Sequence, residues 1–207
     1  MIDELYKDRM DGGWDRVGLW VARTGLTPNA VTWLGLWLCA ANALAFVFYQ
    51  NLWLFGLLVG LIELLDNVDG AVARVTGNST RRGAYLDATT DRYKDFFILL
   101  AIAQVTGHWL PALLAVSGSL ITSYAAARAS MLGAHGKTSK GLPDLFERLE
   151  RTATLCVGLV AAPFCPLLLG HDLMWWVLYF VAFMTHLTGA QRMARRLREL
   201  GKLDAED

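Results

Sequence analysis

Asp66-Asn67-Val68-Asp69-Gly70-Ala71-Val72-Ala73-Arg74 and, further on, Gly83-Ala84-Tyr85-Leu86-Asp87-Ala88-Thr89-Thr90-Asp91 place four carboxylates beside long apolar runs. Positions three and four apart share one face of a helix. Asp66, Asp69, Gly70 and Ala73 therefore form one stripe, and Gly83, Asp87 and Asp91 form another. On consecutive antiparallel helices the two stripes face each other. Carboxylates near the ends of membrane helices are costly unless paired, hydrated or bound to metal. Four of them converging repel, and a divalent cation between them relieves that repulsion. An all-oxygen set without His or Cys selects a hard ion, Mg²⁺, Mn²⁺ or Ca²⁺, over zinc. Gly70, Ala73 and Gly83 keep the stripes free of bulk, so a ligand can approach the backbone. The competing explanation is structural: ion pairs with Arg74, Arg81, Arg82, Arg92 and Lys94.

Outward from these stripes the chain reads as an all-α, polytopic membrane protein. It is 55% hydrophobic and 18% charged, and its 207 residues carry no net charge. Apolar runs approach the roughly 20 residues needed to cross a bilayer. Six spans are expected, at about 30–49, 52–73, 84–106, 109–132, 149–169 and 172–191. Thr27 can cap the first of them, with Pro28 in its first turn. Gln50-Asn51, Gly107-His108 and the 163–172 stretch make the alternate turns, and none contains Lys or Arg. Cytoplasmic segments are the ones enriched in these residues. The asymmetry assigns both termini, the 74–83 turn and the 133–148 loop to the cytoplasmic side of the cell membrane.

The flanks are simpler. Residues 1–26 are expected to form an amphipathic juxtamembrane helix lying in the interface, with Trp14, Val17 and Val21 at helical spacing and Trp20 as an anchor. Residues 27–200 form the six-helix domain and 201–207 a tail. The first 23 residues have mixed charge and lack the short apolar core of a signal peptide. Cys39, Cys156 and Cys165 form no CxxC pair and read as small buried side chains. His108, His135, His171 and His186 are scattered without metal-ligand spacing. Trp53, Trp109, Trp175 and Trp176 fall where an aromatic belt forms on the non-cytoplasmic side.

The complete spacing from Asp66 to Asp91, D-x2-D-G-x2-A-R-x8-G-x3-D-x3-D, resembles the signature of the CDP-alcohol phosphotransferase family. The resemblance implies a six-span enzyme that transfers a phosphoalcohol group from a CDP-linked donor with Mg²⁺ or Mn²⁺, two ions in the family pattern. It implies that Asp66, Asp69 and Asp87 ligate one metal and that Asp66, Asp87 and Asp91 surround a second. Asp91 would also be the general base. Asp69, Gly70, Ala73, Arg74 and Gly83 would border the CDP moiety. The Thr27-Pro28-Asn29-x-x-Thr32 segment resembles the family's start to its first span and puts Asn29 and Thr32 near the nucleotide. Asp95 extends the second stripe outside the motif and reads as a structural partner for Lys94 or Arg92. Glu63, one turn before Asp66, is the deepest carboxylate and stands alone in the sequence.

Three basic patches bear on the acceptor. Arg128 lies in Tyr124-Ala125-Ala126-Ala127-Arg128-Ala129. Arg148 and Arg151 lie in Glu147-Arg148-Leu149-Glu150-Arg151, and Arg192 in Thr188-Gly189-Ala190-Gln191-Arg192. Arginines from several helices beside an acidic site can clamp a phosphate. These patches are similar to those of phosphatidylinositol-phosphate and archaetidylinositol-phosphate synthases, which implies inositol 1-phosphate as acceptor. That subset often carries Lys at the position of Ala126, and Lys137 in the following loop is the candidate replacement. Glycerol 3-phosphate, serine or another polar alcohol are the alternatives. The expected partners are thus a CDP-linked lipid, a polar alcohol, membrane lipids and, from the resemblance, a second copy of the chain; no nucleic acid is expected. An ion transporter would carry carboxylates through the depth of several spans, whereas here they collect near one surface.

Overall fold

The computed structural model describes residues 13–134 and 145–205. Lys137 and His135 lie outside the described residues. The described residues are helical apart from turns and one isolated bridge between Leu168 and His171. A helix over 13–22, α1, precedes α2 (Pro28–Tyr49), α3 (Leu52–Thr76), α4 (Arg81–Thr106), α5 (Trp109–Met131), α6 (Arg148–Ala161) and α7 (Leu173–Leu203). A short 3₁₀ turn, Ala162–Phe164, follows α6.

Local chemistry sets the boundaries. The Thr27 hydroxyl accepts from the Ala30 N–H at 3.3 Å and Pro28 opens α2. Gln50 closes that helix in the left-handed region, at φ 50°, and Asn51 immediately caps α3 by accepting from Leu54 N–H. Gly107, at φ 78°, ends α4. The expected fifth span, 149–169, stops at Ala161, because Pro163 cannot continue the hydrogen-bond ladder. With 14 residues, α6 reaches about 21 Å at 1.5 Å per residue, less than the hydrocarbon core. The last helix makes up the difference in the other direction: α7 runs for 31 residues and passes the expected end at 191 and the expected tail boundary at 200. Among the described residues, three helices, α2, α5 and α7, are long and apolar enough to cross a membrane by length and composition.

The helices close into a ring. α2 packs on α3 and α4, α3 on α6, α6 on α7, α7 on α5, and α5 on α4. Phe46 stacks on Phe55 with centroids 4.0 Å apart, and both are fully enclosed with Leu99, Ile102, Leu159, Met174 and Leu178. Large apolar side chains such as Trp37, Leu44 and Phe48 point outward instead. This apolar exterior suits lipid rather than water. Close approach depends on glycine at particular crossings. Gly118 of α5 faces Thr185 of α7, where a Cβ would lie 2.9 Å from the Thr185 Cβ and collide with its hydroxyl. Overpacking a tight crossing costs about 1–3 kcal/mol. Gly118→Ala is therefore expected to lower the melting temperature of the detergent-solubilised protein, and an unchanged melting temperature would contradict this packing.

α1 docks by two residues of the expected stripe, Trp14 and Val21, but not by Val17. Trp14, Val21 and Ala22 pack on Val31, Val68 and Val72, and Gly18 lies so close to Ala71 that a Cβ would sit 2.8 Å from its carbonyl carbon. Val17 is exposed, together with Leu19 and Trp20. Only the residue without a side chain fits the crossing, so the bulky Val17 turns outward. Among the cysteines, Cys39 is buried and Cys156 half-buried, but Cys165 is exposed in the turn after α6, against expectation.

Candidate active site

α3 and α4 are separated only by residues 77–80. Gly77, at φ 65°, ends α3, and the Thr80 hydroxyl caps α4 by accepting from Gly83 N–H at 3.0 Å. The two helices meet mainly through α2, which both of them contact. Between the three lies a cleft of about 300 Å³. It is lined by Asn29 and Thr32 from α2, Asp69, Gly70, Ala73 and Arg74 from α3, and Gly83 and Asp87 from α4. Every residue expected around the nucleotide thus borders one cavity. Asn78, Ser79 and Thr80 of the connecting turn line it as well. They lie inside the x8 gap of the motif, where spacing carries no signal. Asp69 is buried and accepts from the Thr32 hydroxyl at 2.6 Å. Arg74 is tethered from outside by Asp15 of α1 at 3.2 Å.

The remaining carboxylates sit behind the cleft among cations. Lys94, wholly buried, contacts Asp66. The Arg148 guanidinium stands 2.9 Å from Asp66, 3.2 Å from Asp91 and 2.6 Å from Glu63. Glu63 is therefore not alone. The expected pairing of Asp95 with Lys94 or Arg92 is only half met: Arg92 lies 3.6 Å away, but the tight partners are Arg151 at 2.6 Å and the Ser119 hydroxyl at 2.8 Å. Lys94 serves Asp66 instead. Of the cations named for the competing structural explanation, Lys94 contacts Asp66 and Arg92 lies 3.8 Å from Asp91, and Arg148 adds a second cation to each. Arg81 and Arg82 are exposed and Arg74 turns to Asp15.

A divalent ion fits this donor set. Asp66, Asp69, Asp87 and Asp91 supply oxygen only. Among the described residues, Asp66 Oδ2 and Asp91 Oδ1 are buried and accept no hydrogen bond, though each lies within ion-pair distance of Arg148, a condition that leaves buried acceptors poorly satisfied. Among the described residues, no three His, Cys, Asp or Glu side chains are gathered closely enough to form a closed metal cage. Lys94 and Arg148 lie among the carboxylates and offset their charge.

The four described acceptor candidates are spread out. Arg148 is on the carboxylates. Arg151 is buried against Asp95. Arg192 donates to the Thr122 carbonyl at 3.2 Å, and Arg128 is exposed near the end of α5. The glutamates of the same Glu147-to-Arg151 segment have a local duty. Glu147 and Glu150 form a capping box at the start of α6, with the Glu150 carboxylate accepting from Glu147 N–H at 3.2 Å. On the opposite side of the ring, His108 bonds Asp172 at 2.7 Å, a partner that its sequence surroundings do not reveal.

A profile of the CDP-alcohol phosphatidyltransferases matches residues 25–188. The archaetidylinositol phosphate synthase of Pyrococcus horikoshii is 31% identical over 191 residues, covering 90% of this chain and 93% of that protein. The phosphatidylinositol phosphate synthase of Mycolicibacterium smegmatis is 33% identical over 174 residues, covering 80% and 76%. Crystal structures of the Mycobacterium tuberculosis phosphatidylinositol phosphate synthase superimpose with a TM-score of 0.75 at 28% identity. One, with CDP-DAG bound, covers 88% of this chain and 92% of that one; another, with manganese and citrate, covers 90% and 88%. With the cleft, its motif and nearly the whole length of the chain in agreement, this protein belongs to the CDP-alcohol phosphatidyltransferase family and is a metal-dependent transferase.

Proposed function

We propose that this protein transfers a phosphatidyl-type group from a CDP-linked lipid to inositol 1-phosphate, releasing CMP. The observation that carries the reading is the single cleft between α2, α3 and α4, which gathers Asn29, Thr32, Asp69, Gly70, Ala73, Arg74, Gly83 and Asp87. The acceptor follows from the similarity to archaetidylinositol phosphate and phosphatidylinositol phosphate synthases and from the arginines of α5, α6 and α7. The cytidine diphosphate occupies the cleft, with Arg74 against phosphate and Asp15 holding the guanidinium in place. The acceptor phosphate is drawn by Arg128, Arg148, Arg151 and Arg192, with Lys137 from the loop.

In the reaction, the acceptor hydroxyl oxygen forms a bond to the lipid-bearing phosphorus. The bond from that phosphorus to the oxygen of CMP breaks, and CMP leaves with the electron pair. Asp91 takes the hydroxyl proton. Asp66, Asp69, Asp87 and Asp91 would hold Mg²⁺ or Mn²⁺, which would supply positive charge to offset that of the diphosphate and of the departing CMP. In this reading Asp66 and Asp87 would be shared between two ions, as the family pattern implies. Six membrane crossings, with the cleft and both termini on the cytoplasmic side and a homodimeric assembly, complete the reading. It is supported by the ring of helices and by the absence of Lys and Arg from the turns at 50–51, 107–108 and 163–172.

Purified protein is given CDP-diacylglycerol or CDP-archaeol, Mn²⁺, and either inositol 1-phosphate, glycerol 3-phosphate or serine. CMP release with inositol 1-phosphate is expected. Release with another acceptor alone would move the specificity, and no release with any would defeat the proposed reaction. The nucleotide assignment has its own test. A Cβ at Gly70 would meet only Arg74 Nη1, at 3.6 Å, so the protein itself accommodates it. Gly70→Val is expected to raise the KM for the CDP donor roughly tenfold, as loss of about 1.4 kcal/mol of binding does. The melting temperature should stay near that of the wild type.

A further inference from the structure

Arg148 is the first residue of α6, yet its guanidinium reaches carboxylates on two other helices, Glu63 and Asp66 of α3 and Asp91 of α4. The contact is ionic without being well bonded. Nη1 faces Asp66 Oδ2 and Nη2 faces Asp91 Oδ1, yet among the described residues neither of those oxygens accepts a hydrogen bond and Nε and Nη2 donate none. Buried polar groups left in this condition cost free energy. A cation that coordinates the two oxygens directly would satisfy them better. Lys94 differs. It is sealed in, in contact with Asp66 and backed so closely by Gly35 that a Cβ there would lie 3.2 Å from Nζ. Arg148 keeps 22% of its side chain exposed and has a way out.

We propose that Arg148 is an internal counter-cation that the divalent metal displaces from Asp66 and Asp91, and that Glu63 retains it after displacement. Glu63 is the nearest of its three partners and lies one turn before Asp66 on α3, toward the middle of the helix. Lys94 stays on Asp66 throughout. Metal loading and the repositioning of Arg148 are then one event. In the metal-free protein Arg148 is committed to the carboxylates; in the loaded protein it is a cation beside the site, available to a phosphate. Recognition of the acceptor phosphate by this residue follows metal binding and does not precede it. The inference rests on the reading that Asp66 and Asp91 take the metal.

The test is Mn²⁺ titration of the full chain in detergent, followed by electron paramagnetic resonance, together with melting curves with and without Mn²⁺. Arg148→Gln is expected to tighten the Mn²⁺ Kd roughly tenfold, since a competing charge has left two ligands. Its metal-free melting temperature should fall and the rise on adding Mn²⁺ should grow. Arg148→Lys, which keeps the charge but not the reach, should fall between and serves if the glutamine variant does not fold. Glu63→Gln removes the fallback partner. It should weaken Mn²⁺ binding in the wild-type background and have much less effect beside Arg148→Gln, and that non-additivity is the mark of exchange. Unchanged or weaker binding in Arg148→Gln, or an equal Glu63→Gln effect in both backgrounds, overturns the exchange. Binding that persists in the Asp66→Asn/Asp87→Asn double variant overturns the metal reading itself, and the exchange with it.

Discussion

Asp91→Asn is expected to lower kcat by about a hundred- to ten-thousandfold, the usual contribution of a positioned base. The substitution keeps the shape of the side chain and removes both the proton acceptor and a charged oxygen. Asp91 is buried in the ring, with Arg148 3.2 Å from one carboxylate oxygen and Arg92 3.8 Å from the other. Of the neighbouring site aspartates, Asp69 accepts from Thr32, Asp66 carries Lys94 and Asp87 lines the nucleotide cleft, which leaves the base role in the proposed reaction to Asp91. The diagnostic is a split of parameters. The KM for the CDP donor should move little, since the nucleotide cleft is lined by Asp87 and Asp69 and not by Asp91. CMP release at the wild-type rate by Asp91→Asn would remove the base assignment.

Arg151→Met is expected to cost stability, about 3–5 kcal/mol when one member of a buried ion pair is removed. Arg151 is 4% exposed and Asp95 8%, and their 2.6 Å contact joins α6 to α4. Ser119 and Arg92 remain on Asp95 and should hold the loss toward the lower end of that range. The double variant Asp95→Asn/Arg151→Met should recover most of the loss, because no unpaired charge is left in the ring. Melting curves in detergent decide the matter. An unchanged melting temperature for Arg151→Met would contradict the brace between α6 and α4, while a raised KM for inositol 1-phosphate alongside the loss of stability is expected from its share in the proposed acceptor site.

The contrast between these two arginine-bearing contacts shows what could be read from the chain and what could not. The four aspartates, the glycines and Arg74 are legible because their contacts repeat with the period of a helix, and the turn joining α3 to α4 is too short to let the stripes part. Helix ends at Thr27 and Asn51 are legible for the same local reason, whereas Thr80 falls inside the expected 74–83 turn and α4 starts at Arg81, earlier than the expected 84. Arg148 and Glu63 are 85 residues apart by their numbers, and nothing local joins them; only closure of the ring brings α6 against α3. Lys94 was open to a better reading. It stands seven residues beyond Asp87 and three beyond Asp91, which returns it to the carboxylate face. The adjacent Asp95 turns about 100° away, toward α5 and α6. Gly18 gives no signal in the sequence because the periodic apolar pattern of α1 ranks side chains by bulk, whereas the crossing over Ala71 selects for having none.

The cleft has one more property, which comes from the backbone. Its walls include the opening turns of two helices, with Pro28 and Asn29 at the start of α2 and Thr80, Gly83 and Ala84 at the start of α4. Neither first turn contains an acidic residue. The unpaired N–H groups and aligned peptide dipoles at such ends carry about half a positive charge each, and they attract phosphate. The cavity therefore has a built-in pull on anions that no side-chain substitution abolishes. Stripping Arg74 should leave a residual affinity for the pyrophosphate, weaker but still directed into the gap between the two helices.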